Sequence, residues 1–234
     1  SERYAVAYAT NGEDGWQKAI NLVPDLIITD LMMPGMDGLE LCRRIRSNDV
    51  VNHIPIIIVT AKISDQDRIK GFEAGADAYL AKPFNVDELR TVVERLLDRQ
   101  RSLRSKFSDN ATNTKEQQDE VQLTDTERRF LAKTVDHIYL LMDKQQLNVN
   151  TLAEKLCMSP RQLHRKIVTL TGSSPASFIL KIKMKRARHL LETDPKMSID
   201  DIAFCCGFEH TSSFYHAFRK KYGVTPRDVR RGIE

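Results

Sequence analysis

The stretch D-L-I-I-T-D-L-M-M-P-G-M-D-G, residues 25–38, decides how the first hundred residues fold. An apolar strand, L-I-I-T-D, ends on Asp30, and in a parallel sheet covered by helices the carboxyl ends of the strands are where reacting groups collect. Outward from it, strand-length apolar runs are read at Tyr4–Tyr8, Asp25–Asp30, Ile54–Thr60 and Asp77–Leu80. Helical periodicity covers about Glu13–Leu22, Gly38–Arg46, Asp65–Ala74 and Val86–Arg99. This alternation predicts an α/β domain over residues 1–100. Thr60 closes the run I-P-I-I-I-V-T, and Lys82 follows D-A-Y-L-A. An acid, a hydroxyl and an ammonium converge on one rim of the expected sheet.

With 234 residues, 41% hydrophobic and 29% charged, the chain is neither disordered overall nor collagen-like and has room for two domains. No window approaches a membrane-spanning apolar run and no leader pattern opens the sequence, which predicts a soluble chain. Cys42, Cys157, Cys205 and Cys206 lack paired metal-ligand spacing and read as reduced thiols, with Cys205 and Cys206 placed by their neighbours Phe204 and Gly207 in core packing. Residues 101–123 turn polar without an apolar period and read as a linker. From Thr124 to the end only helices are expected, at Thr124–Lys144, Thr151–Cys157, Pro160–Leu170, Pro175–Thr193, Ser198–Cys205 and Thr211–Tyr222. A short helix, a turn and a longer helix occur twice, at 151–171 and 198–222.

The charge divides along the same boundary. Residues 1–100 carry 12 basic and 16 acidic side chains, whereas residues 124–234 carry 20 and 12. A net +8 in the second domain points to a polyanion, because clustered cations gain affinity by releasing counterions from nucleic acid.

The motifs D-L-M-M-P-G-M-D-G at 30–38, V-T-A at 59–61 and K-P-F at 82–84 make residues 1–100 resemble the receiver domain of bacterial response regulators. The resemblance implies a flavodoxin-like, doubly wound parallel sheet in strand order 2-1-3-4-5. It also implies Asp30 as phosphoacceptor, Thr60, Tyr79 and Lys82 as the phosphoryl switch set, Pro83 as a cis-proline, and Mg²⁺ held by Asp30, the Met32 carbonyl and an acidic pair. The chemistry suits these types: a carboxylate attacks phosphorus, and the oxygen charge needs fixed cations and donors. The first strand and its helix, with the acidic pair, would precede Ser1. The expectation is therefore a piece of a longer polypeptide, with Mg²⁺ bound only where that pair is present. Glu13 and Asp14 follow the next strand and do not replace it.

In the second domain Ser159 is a helix N-cap and Pro160 the first helical residue. Leu163, Ile167 and Leu170 face inward, which leaves Arg161, Gln162, His164, Arg165 and Lys166 outward. The second unit repeats the plan, with Phe214 and Phe218 as a core pair beside Thr211, Ser212, Ser213 and His216. The blocks S-P-R-Q-L-H-R-K-I at 159–167, A-R-H-L-L at 187–191 and I-A-F-C-C-G-F-E-H-T-S-S-F-Y-H-A-F-R-K-K-Y-G-V-T-P at 202–226 resemble the AraC family DNA-binding domain. That resemblance implies two helix-turn-helix motifs entering successive major grooves, with Arg161, His164 and Arg165 facing bases in the first and Thr211, Ser212, Ser213 and His216 in the second. His164 and His216 serve equally well as phosphate contacts. The run K-I-K-M-K-R-A-R at 181–188 spreads around a helix, so part of it is a solvated face.

The expected function is a transcription regulator of a two-component system, not an enzyme. A sensor histidine kinase, in a separate chain or in the same polypeptide, would phosphorylate Asp30, and the active state, a dimer, would bind duplex DNA. The expected location is cytoplasmic, and the pairing of modules also resembles the cytoplasmic end of membrane-anchored hybrid sensors. One rival is an aspartyl-nucleophile phosphatase of the haloacid-dehalogenase type, whose motif needs an acid where Met32 stands. Another is a phosphorylation-independent, receiver-like interaction module fused to a DNA binder.

Overall fold

The computed structural model describes residues 4–61, 73–108 and 123–232. It forms two compact units, Ser1–Arg128 with Arg161–Gly172, and Arg129–Pro160 with Ser173–Glu234. In the first unit, β1 (Ile27–Asp30), β2 (Ile56–Thr60) and β3 (Ala78–Ala81) make a parallel sheet in the order β1-β2-β3. Every residue of the central β2 is buried, as expected of a strand covered on both faces.

The two faces of β2 feed separate cores. Ile56 and Ile58 pack with Leu41, Cys42 and Ile45 of α2 (Gly38–Ser47) and with Val23, just beyond α1 (Gly12–Leu22). Ile57 and Val59 pack with Leu80 and with Leu89, Val92, Val93 and Leu96 of α3 (Val86–Ser108). Asn11 caps α1 by accepting from the Asp14 amide, and Asp37 caps α2 by accepting from the Glu40 amide. Gly38 is required at the second start. A Cβ there would lie 2.4 Å from the Asp30 carbonyl oxygen, so only glycine lets α2 begin against the end of β1.

The strand expected at Tyr4–Tyr8 is not formed; residues 4–9 are irregular, with Tyr4, Val6 and Tyr8 exposed. A strand needs a neighbour's backbone to complete its hydrogen bonds, and among the described residues no strand lies beside this one. Ile28, on the exposed side of β1, is 47% accessible for the same reason. The helix expected at Asp65–Ala74 lies almost wholly outside the described residues. α3 continues to Ser108, past Arg99, where the sequence reading ends this helix. Leu96, Leu103 and Phe107 continue a helical spacing that the polar composition concealed.

At the opposite end of the sheet from Asp30, Arg46 fastens α2 to the strand starts. Its Nε donates to the Gly75 carbonyl at 2.8 Å, its Nη1 to the Asn52 and Ile54 carbonyls, and its Nη2 to Asp77 Oδ2 at 2.6 Å. Asp77 in turn accepts from the Ile56 amide. Replacing Arg46 with Met strands three carbonyls and a carboxylate in a half-buried site, and is expected to cost about 2–3 kcal/mol. Urea titration followed through Trp16, the single tryptophan, measures it. A midpoint unchanged at constant slope would show that water replaces the guanidinium.

The elements described beyond residue 123 are all helices: α4 (Asp125–Asp143), α5 (Val149–Lys155), α6 (Pro160–Thr171), α7 (Pro175–Thr193), α8 (Ile199–Cys205), α9 (Thr211–Tyr222) and α10 (Pro226–Arg230). The last was not foreseen; Thr225 and Asp228 form a reciprocal cap that starts it at Pro226. Leu163, Ile167 and Leu170 on α6, and Phe214 and Phe218 on α9, are buried as the periodicity requires. Among the described residues no helix is long and apolar enough to cross a membrane.

Candidate functional site

Parallel register sets Asp30 beside Val59 and Thr60 beside Ala81, so the carboxyl ends of all three strands are level. Lys82, one residue past β3, donates its amide to the Thr60 carbonyl at 2.8 Å, and the Lys82–Pro83 peptide is cis. Its side chain turns back across the rim to place Nζ 2.5 Å from Asp30 Oδ2. The other carboxylate oxygen accepts from the Met32 amide at 3.2 Å. Thr60 is buried beneath this pair, 3% exposed, and Tyr79 lies in β3 against the α1–α2 core. The three strand-end groups named from the sequence are gathered at one edge.

Burial alone would raise the Asp30 carboxyl, but the bond from Lys82, the Met32 amide and the Lys82 charge outweigh it. The group is therefore held below its ordinary value and is ionised at neutral pH. A carboxylate with one oxygen on an ammonium, at an open sheet edge, can act as a nucleophile, with a counterion in place for the charge of its product.

The described residues do not complete a metal site. Asp30 and Met32 are in place, but Asp14 is committed to Lys18 Nζ at 2.8 Å and to the Thr10 amide, and Glu13 to Arg44 at 3.1 Å. Among the described residues no three His, Cys, Asp or Glu side chains are grouped to hold an ion.

In α6, which belongs to the first unit, Arg161 and His164 are exposed. Arg165 is half-buried, donating to the Leu22 carbonyl and standing 3.8 Å from Asp25. Lys166, expected outward, is fully buried. Its stem follows the helix surface inward, and its ammonium meets the Asp49 carbonyl and, at 2.8 Å, Asn52 Oδ1. Burial pushes that ammonium down to about 8, with Asp49 and Glu127 opposing. In α9, Ser212, Ser213 and His216 are exposed along with Arg219 and Lys220, while Thr211 is half-buried. The exposed face therefore carries short hydroxyls near the helix start and cations near its end, the order that suits base edges and then phosphates.

The basic run at 181–188 divides. Lys185 is exposed, but Lys183 donates to the Gly207 carbonyl at 2.7 Å, Arg186 pairs with Asp143 at 2.8 Å, and Arg188 bonds Glu192 at 2.7 Å. The sequence reading spread this run around the helix without naming the partners of Lys183 and Arg186. Helical spacing names a face but does not say which long side chain folds back over it.

The family model for a response regulator receiver domain matches residues 1–94, and that for a helix-turn-helix domain matches residues 152–232. Histidine kinase P4 of Formosa agariphila is 34% identical over 223 residues, which is 95% of this chain but 16% of that protein. Transcriptional regulatory protein ResD of Bacillus subtilis is 37% identical over 207 residues, covering 73% of this chain and 84% of that protein. Among solved structures, an AraC-type DNA-binding transcriptional regulator from Chromobacterium violaceum is 26% identical, over 47% of this chain and 96% of that one, with a TM-score of 0.42. The chain belongs to the response regulators, as a receiver domain followed by a helix-turn-helix domain.

Proposed function

We propose that the chain is a phosphorylation-responsive transcription regulator: Asp30 takes a phosphoryl group from a histidine kinase, and the helix-turn-helix domain binds specific duplex DNA. The observation that carries the reading is the ionised Asp30 carboxylate at an open strand end with the Lys82 ammonium 2.5 Å away. In the transfer, a carboxylate oxygen bonds to phosphorus as the phosphorus–nitrogen bond of a phosphohistidine breaks, and Lys82 and Thr60 answer the charge on the transferred oxygens. Mg²⁺ joins this site only with an acidic pair from upstream, beside Asp30 and the Met32 carbonyl. The kinase, in another chain or in the same one, and a dimeric, DNA-bound active state in the cytoplasm complete the proposal. An aspartyl phosphatase is disfavoured because Met32 stands where its second acid would be.

A second reading is a phosphorylation-independent receiver-like module on a DNA binder. Both readings require base recognition by α6, through Arg161, His164 and Arg165, and by α9, through Thr211, Ser212, Ser213 and His216. The test uses a duplex selected by the whole chain from a randomised pool. His216→Ala is expected to cost roughly 1–3 kcal/mol on the selected duplex and little on a scrambled one, whereas Lys220→Ala weakens both alike. Equal losses for His216→Ala on both duplexes would make His216 a phosphate contact.

A further inference from the structure

Two cations of α7 lie against the second helix-turn-helix unit. Lys183 is half-buried; its Nζ donates to the Gly207 carbonyl at 2.7 Å and stands 5.0 Å from the centre of the Phe208 ring. Gly207 has a φ of +71°, and a Cβ there would lie 3.2 Å from that Nζ and from Met142 Cγ, so the turn is shaped to admit the ammonium. The same turn ends α8: the Gly207 amide donates to the Phe204 carbonyl and the Phe208 amide to the Ala203 carbonyl. The ammonium thus caps the negative end of that helix.

From the turn, contact passes by aromatic rings into α9. Phe208 meets Phe214 edge-on at 5.5 Å, Phe214 meets Phe218 at 5.6 Å, and Phe218 meets Tyr222 at 4.7 Å. At the far end of this stack the Arg188 guanidinium lies 5.2 Å from the centre of the Tyr222 ring, and Glu192 holds its Nε. α7 therefore holds the turn before α9 through Lys183 and the last residue of α9 through Arg188, cations five residues apart in sequence.

We infer that Lys183 and Arg188 are positioning residues that fix α9 for base reading, rather than part of a cationic stripe that steers DNA. The inference rests on the DNA-binding reading above, and it assigns to α7 a role in specificity that its charge alone would not suggest. A helix rotated by a few degrees would keep its phosphate contacts but misalign the short side chains Ser212 and Ser213, which have no length with which to compensate.

The experiment uses the whole chain, the selected and scrambled duplexes at one salt concentration, and hydrogen exchange of the free protein. Lys183→Met is expected to lower the selected-over-scrambled preference by about tenfold or more while leaving scrambled binding within about threefold, and Lys183→Arg to keep the preference. Arg188→Met should act in the same direction, so the result does not hang on one variant's folding. Amide exchange in 211–222 should quicken in both Met variants while the middle of α7 stays protected. An undiminished preference, an equal loss on both duplexes, or unchanged exchange in 211–222 would each overturn the assignment. If the parent chain prefers no duplex, the DNA-binding reading fails, and the exchange data still decide whether these cations hold α9.

Discussion

Replacing Asp30 with Asn is expected to reduce acid-labile phosphoryl incorporation to background, the largest single-residue effect this chain should display. The substitution keeps size and hydrogen-bonding capacity, and the Met32 amide that caps one carboxylate oxygen can still donate to the amide oxygen. What it removes is the anionic nucleophile, and with it the attraction that draws Lys82 across the rim to 2.5 Å. Thr60 and the Lys82 backbone are held by strand pairing and by the Lys82 amide bond to the Thr60 carbonyl, neither of which depends on that charge. The fold should persist, so loss of label would report chemistry rather than collapse. Transfer from acetyl phosphate or from a histidine kinase is the readout, measured in a chain extended upstream by a strand bearing an acidic pair. Equal labelling of the parent and the Asn form would move the phosphoacceptor elsewhere. No labelling of the extended parent would favour the phosphorylation-independent module.

The same geometry fixes a pH dependence. The folded Asp30 carboxyl titrates below its ordinary value of 3.8, so the carboxylate stays ionised as pH falls from about 8 to about 5. The Lys82 pairing contributes its stability above the ordinary carboxyl value and loses it as pH falls through the lower, folded one. With both side chains more than a third exposed, water screens the pair, and its role is placement of charge more than stability.

The strand-end site was legible because parallel topology does the gathering: once three apolar runs are strands of one parallel sheet, Asp30, Thr60 and Lys82 must share an edge whatever the loops do. The strand at residues 4–8 was misread for the complementary reason. Its alternation is genuine, but a strand is completed by a neighbour's backbone, and that information is not local. The long α3 was cut short because composition outweighed period: polar residues filled the gaps between Leu96, Leu103 and Phe107 without breaking their spacing. Lys166 was misplaced by a different limit. Periodicity orders Cα positions around a helix, whereas a four-carbon stem can carry its charge across to a carbonyl of another segment, here that of Asp49.

That last distinction sets the size of the second large effect. Raising monovalent salt from about 50 mM to about 200 mM is expected to weaken duplex binding by the whole chain about a thousandfold. Residues 124–234 carry 20 cations, but a cation bonded inside the protein releases no counterion from DNA. Lys166, Lys183 and Arg186 are engaged with carbonyls or a carboxylate, and Arg188 is shared between Glu192 and Tyr222. Arg161, Lys185, Lys196, Arg219, Lys220 and Arg227 are exposed, six cations placed to meet phosphates. With about six phosphates neutralised, the logarithm of affinity should fall against the logarithm of salt with a slope near −5. Fluorescence anisotropy at four salt concentrations gives that slope directly. A flat response would remove DNA from the function altogether. A slope of about −10 would mean that the inward cations turn out to the phosphates on binding, which would also overturn the positioning role of Lys183 and Arg188.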